Sequence, residues 1–131
     1  MLEIIIKVFI SILLGYLIGQ ERENNGKAVG TRTISLIALG AALFTIMSPG
    51  ILGGDNSRVV AQVVSGIGFL GAGIIFKNGD TVHGLTTAAT VWCSAAIGCL
   101  CGFGMYPEAI IGTIGVLLIN TLFKHLKKDN K

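Results

Sequence analysis

The sequence predicts an all-α, polytopic membrane protein of about five transmembrane helices, and three observations predict it. Hydrophobic residues make up 52% of the 131, charged residues only 13%, and the mean hydropathy is +0.77. Soluble domains carry about 25% charged residues, so this chain holds about half the usual supply. Apolar runs of the length that crosses hydrocarbon recur along the chain, separated by short segments rich in glycine, asparagine and charge. One run, Val59 to Phe76, is dense in glycine, at Gly66, Gly68, Gly71 and Gly73. In water each would weaken a helix by about 1 kcal/mol relative to alanine. In lipid no water satisfies an unfolded backbone, so the segment must be helical, and glycine marks where another helix comes close. A single domain over residues 1–131 is expected.

Leu2 to Gln20 forms the first span. Its Glu3 and Lys7 stand acid before base at i and i+4, an order that favours a local pair. Ser11, Gly15 and Gly19 recur every fourth residue, a stripe of small side chains on which a neighbouring helix can rest. No A-x-A-like cleavage site follows, so the segment reads as a permanent span. Glu21 to Thr33 reads as a polar loop, with Asn24-Asn25-Gly26 as its turn signal. The second span covers about Thr33 to Met47, and Ser48-Pro49-Gly50 reads as its stop.

Gly53 and Gly54 make the next turn, and Asp55, Asn56 and Ser57 can each cap the helix that follows. On a helical wheel the third span separates into two faces. Val59, Val63, Ile67, Leu70 and Ile74 share one side, assigned to lipid; Ala61, Ser65, Gly68 and Ala72 form a narrow strip assigned to a neighbouring helix, flanked by Gln62, Gly66, Phe69 and Gly73. Lys77 to Gly84 is a tight connection. The fourth span, Leu85 to Phe103, is small or polar all round, with Thr86, Thr87, Thr90, Cys93, Ser94 and Gly98 among alanines. A helix without a bulky face belongs at the centre of a bundle, in contact with the glycine face of the third span, and Trp92 is expected to pack on the glycine face of another helix. Ala109 to Phe123 makes the fifth span, and Lys124 to Lys131 a basic tail.

Charge placement orients the chain. The first polar connection, the Lys77 turn and the tail together hold eight of the ten Lys and Arg, whereas the opposite side holds only Arg58. By the positive-inside rule the amino terminus lies outside and the carboxy terminus is cytoplasmic. A net charge of +3 distributed in this way orients helices and calls for no nucleic acid. Cys93, Cys99 and Cys101 point around a helix at 100° steps, so neither a metal centre nor a disulfide follows, and no cofactor is expected. Asp80 and His83 are too few to make a metal site. GIGFLG matches G-x-G-x-x-G but lies inside a span instead of between strand and helix, so it holds no dinucleotide. No nucleophile and base are brought together by the pattern, and an enzyme is the least supported class.

Four segments in order, GYLIGQERE, VGTRT, RVVAQVVSGIGFLGAGIIF and GLTTAATVWCSAAIGCLCG, resemble the membrane domain of the MgtC/SapB family. The resemblance covers most of Gly15 to Gly104, with Thr31 where the family's loop motif has leucine. It implies a multi-pass protein of the bacterial inner membrane linked to adaptation to low magnesium and, in some pathogens, to virulence. The implied role is regulation of other membrane machinery, not magnesium carriage. Many members add a soluble carboxy-terminal domain, and this sequence is read as a short form without it.

Carried over by motif, the candidate residues are Glu21, Arg22, Glu23 and Arg32 at the inner end, Asp55, Arg58 and Gln62 at the outer end, and Thr86, Thr87, Trp92 and Cys93 in the fourth span. A buried arginine without a partner is too costly, so a pair of Glu21 or Glu23 with Arg32 is expected. Helix packing is assigned to Gly15, Gly19, Ser65, Gly66, Gly68, Gly71, Gly73 and Gly98. The expected partners are the lipid bilayer, another membrane protein and a second copy in a dimer. The competing function is a small cation transporter or channel built by an oligomer, suggested by Ser65, Thr90 and Ser94 at mid-depth. No carboxylate accompanies them to bind a hard dication.

Overall fold

The computed structural model describes residues 1–51 and 55–126. The Gly53-Gly54 turn and the tail lysines Lys127, Lys128 and Lys131 lie outside them. Five helices form: α1 (Leu2–Asn24), α2 (Thr31–Ile51), α3 (Asn56–Ile74), α4 (Leu85–Gly102) and α5 (Tyr106–Leu126). Each is long and apolar enough to cross a membrane, so the chain is a polytopic helical membrane protein. Between α3 and α4 a short hairpin pairs β1 (Phe76–Asn78) with β2 (Thr81–His83), antiparallel, with Phe76 opposite His83. Those two rings stack at 5.0 Å, which places His83 on an aromatic neighbour and Asp80 at the turn.

Helix α4 touches all four other helices, which follow one another around it in the order α3, α2, α1, α5. More than half of it is buried, 56% against 11% for α3, as a helix without bulk should be. The ring stays open between α3 and α5. There Leu85, Ala89, Trp92 and Ala96 of α4 are exposed, and Trp92, at 57% exposure, is not buried on a glycine face of this chain. Its large ring has no room at the glycine-tight contacts, which α2 occupies.

Small residues set those contacts. At Gly15 an added Cβ would stand 3.0 Å from the Ala38 Cβ, and at Gly19 2.6 Å from the Thr31 Cα, so α1 lies directly on α2. Gly98 and Gly102 of α4 press on the same face of α2, at Ala38, Ala41, Ala42 and Thr45, so that α1, α2 and α4 pack mutually. Lipid offers no hydrophobic drive between helices, and this close approach supplies dispersion in its place.

The ends of α1 and α2 differ most from expectation. Helix α1 runs to Asn24, because Glu21 and Arg22 are satisfied inside the bundle and need no loop. Its end is a Schellman turn: Gly26, at φ +70, donates to Glu23 O at 3.1 Å, and Lys27 donates to Arg22 O at 3.0 Å. Helix α4 ends the same way at Gly104, φ +77. Helix α2 continues through Pro49 to Ile51, since a proline in a last turn removes one N–H without breaking the turns before it. The Lys7–Glu3 pair forms at 3.4 Å, as the spacing predicts.

The largest correction concerns α3, whose two faces are reversed, except that Leu70 stays exposed as expected. Val59 is buried, and Val63, Ile67 and Ile74 pack into the core. The strip Ala61, Ser65, Gly68 and Ala72 is exposed; a Cβ added at Gly66, Gly68 or Gly73 would meet nothing within 4 Å, and at Gly71 only Ala88 at 3.9 Å. A close helix pair needs small residues on one surface only. Helix α4 already supplies them, through Ala88 and Ala95, so the bulky side of α3 seats on it.

Candidate functional site

A buried polar centre joins the end of α1 to the start of α4. Glu21 and Arg22 are adjacent in sequence, 100° apart on the helix, yet both are buried, at 8% and 3% exposure. The arginine folds back beside its neighbour: Nε donates to Glu21 Oε1 at 2.7 Å and Nη2 to Oε2 at 2.8 Å. This two-pronged contact is the strongest geometry available to a guanidinium and a carboxylate. Nη1 reaches the Thr87 hydroxyl of α4 at 3.4 Å. Asn25 closes the other side, its amide donating to Glu21 O at 2.7 Å and to Oε2 at 2.8 Å, while its own oxygen accepts Lys124 Nζ of α5 at 2.6 Å. Three helices thus meet on one ion pair.

A second polar contact continues the seam between α4 and α5. The buried Asn120 donates to Thr90 Oγ1 at 3.0 Å, and that hydroxyl donates to Thr86 O at 2.8 Å. The reading of the sequence missed Asn120. Its signal was present: one amide in an otherwise apolar span has to find a partner. Asn120→Ala is expected to cost about 1 kcal/mol, the scale of a hydrogen bond between membrane helices. The check is the denaturant midpoint of the detergent-solubilised protein beside wild type.

Of the candidates, Glu21, Arg22 and Thr87 come together here; the others do not join them. Glu23 turns away to α2, where its Oε1 accepts Thr31 N at 3.1 Å and Thr31 Oγ1 at 3.0 Å, a carboxylate placed at a helix start. Arg32 is exposed, and the expected pair with Glu21 or Glu23 does not form. Among the described residues the ion pairs are Arg22 with Glu21 and Lys7 with Glu3. The carboxylate of Glu21 is already filled by its neighbour and Asn25, and that of Glu23 by Thr31. Thr86 is exposed on α4, and Cys93 is half-buried beside Trp92 in an apolar cleft next to α3.

Asp55, Arg58 and Gln62 lie elsewhere, at the start of α3. Asp55 caps that helix, accepting Arg58 N at 3.2 Å and Ser57 Oγ at 2.9 Å. All three border a groove of about 750 Å³ between α2 and α3. Among the described residues, each buried side-chain nitrogen or oxygen has a hydrogen-bond partner, and no three His, Cys, Asp or Glu side chains gather as metal ligands. The polar centre ties α1, α4 and α5 to one another.

The chain is similar to known proteins over most of its length. The chain is 52% identical over 118 residues to Protein MgtC of Brucella abortus, an alignment covering 88% of this chain and 49% of that protein. With Protein MgtC of Salmonella typhimurium it shares 47% over 124 residues, covering 95% and 54%. An uncharacterized protein of Synechocystis matches at 47% over 126 residues, covering 95% and 53%. The chain thus spans about half the length of the curated relatives it matches. No solved structure matches it. The model of the MgtC family matches residues 8–129, from the first span across the ion-pair centre to beyond α5, and with that coverage the chain belongs to the MgtC family.

Proposed function

We propose that this chain is a nonenzymatic regulator in the bacterial inner membrane, one that acts by binding another membrane protein in adaptation to low magnesium. Its amino terminus lies outside and its carboxy terminus in the cytoplasm, in keeping with the lysine and arginine distribution. The observation that carries the reading is the outward face of α3. Polar groups inside the bundle hold it together, while Ala61, Ser65, Gly68 and Ala72 stand exposed with no described helix of this chain upon them. Small residues on a lipid-facing surface admit close approach by a partner helix.

Two measurements test it. In a strain whose growth at low magnesium depends on this protein, Gly68→Leu is expected to abolish that growth while leaving its membrane level unchanged. Purified protein in liposomes is expected to pass no Mg²⁺, Na⁺, K⁺ or protons. Growth that survives Gly68→Leu removes the binding face from the argument, and uptake above empty vesicles replaces the regulator with a transporter.

A further inference from the structure

The groove between α2 and α3 is built on a different side of α3 from the small-residue strip. Its walls are apolar along their length, contributed by Ile37 and Phe44 of α2 and by Val63 and Leu70 of α3. Its polar side chains are Asp55, Arg58 and Gln62 at one mouth and Thr33 near the start of α2. Arg58 and Gln62 stand at i and i+4 on α3, one turn apart on the same side, and both are exposed. Among the described residues Arg58 has no ion pair, and the Asp55 carboxylate beside it accepts the Arg58 amide and the Ser57 hydroxyl.

From Arg58 to Leu70 the groove follows α3 for about 18 Å, at 1.5 Å per residue. One leaflet of hydrocarbon is about 15 Å deep. Arg58, in the first turn of the helix, thus stands at headgroup level with a leaflet's depth of apolar channel beneath it. The volume, about 750 Å³, is that of a small-molecule site and far below that of a transmembrane helix. We infer that this groove holds one membrane glycerophospholipid, its phosphate on Arg58 and Gln62 and an acyl chain lying between α2 and α3. Charge complementarity selects this occupant: a phosphodiester accepts from the guanidinium and from the Gln62 amide, and the chain covers apolar walls that no helix of this bundle covers.

Two glycines allow the groove to be filled without disturbing the fold. Gly40 of α2 and Gly66 of α3 both line it, and a Cβ added at either meets nothing within 4 Å. Native mass spectrometry of the full chain in detergent, titrated with palmitoyl-oleoyl-phosphatidylglycerol, is expected to show one bound lipid that survives dissociation of the micelle. Arg58→Gln is expected to weaken its retention about tenfold, and Gly40→Leu with Gly66→Leu to abolish it at unchanged helicity by circular dichroism. Gly68→Leu, on the far side of α3, should retain the lipid as wild type does. The inference is overturned if the double variant keeps the lipid, or if palmitoyl-oleoyl-glycerol, which lacks the phosphate, binds equally well. It is overturned too if the double variant instead converts a dimer to a monomer, which would seat a second copy in the groove.

Discussion

Arg22→Ala is expected to destabilise the bundle by about 3 kcal/mol or more. The figure follows from what remains behind. With the guanidinium gone, Glu21 is a buried carboxylate at 8% exposure whose one remaining side-chain donor is Asn25. Thr87 on α4 loses its donor at the same time, and the tie between α1 and α4 at that end goes with it. Removing both charges is a different experiment. Glu21→Leu combined with Arg22→Leu leaves no uncompensated ion, and apolar replacement of a buried pair is commonly close to neutral. The double variant should therefore recover most of the loss. Unfolding of the detergent-solubilised protein by rising SDS, read by circular dichroism for wild type, each single variant and the double, measures the coupling directly. Additive single effects would show that the two charges act independently, against the two-pronged geometry.

That pair also shows where sequence reasoning stops. Helix existence, number and order were legible from hydropathy alone, because lipid leaves an apolar run of that length no alternative. The end of α1 was not. Glu21-Arg22-Glu23-Asn24 looks too polar for a span, and neighbours at i and i+1 are not expected to face one another. Burial against α4 brings them together, and no local rule contains α4. Short elements escaped for another reason: strands of three residues, such as those at Phe76–Asn78 and Thr81–His83, carry too little alternation to distinguish from a turn. The faces of α3 were separated correctly and assigned backwards. A wheel sorts residues by type, but which type faces inward depends on what the partner helix offers. The candidate residues divide in the same way, since Glu21, Arg22 and Thr87 meet only through tertiary packing, while Asn120 was overlooked despite a visible polar signal.

The reversal of α3 gives the second large expectation: Gly98→Leu should prevent normal assembly of the bundle, whereas Gly68→Leu should leave detergent stability within about 0.5 kcal/mol of wild type. Both replace a glycine of a membrane-spanning helix by the same side chain, so intrinsic helix propensity favours each by a similar amount. Only the surroundings differ. A Cβ at Gly98 would collide with the backbone carbonyl of Ala38 and come within 2.8 Å of the Ala41 Cβ, and neither is the far end of a flexible chain that could swing aside. To admit leucine, α2 and α4 must separate. That separation would also break the reach of Thr45 Oγ1 to Cys99 O, 3.3 Å across the same interface. Overpacking in a close-packed core costs about 1–3 kcal/mol where the backbone can yield. Here α2 is also held by Gly15 and Gly19 of α1 along the same buried face, so the expected cost lies at or above the upper end. Thermal unfolding of both variants in one detergent compares them on a common scale. Equal midpoints would show that α3 packs through its glycines after all, whereas a large gap establishes the mutually packed α1, α2 and α4 as the rigid centre on which α3 rests.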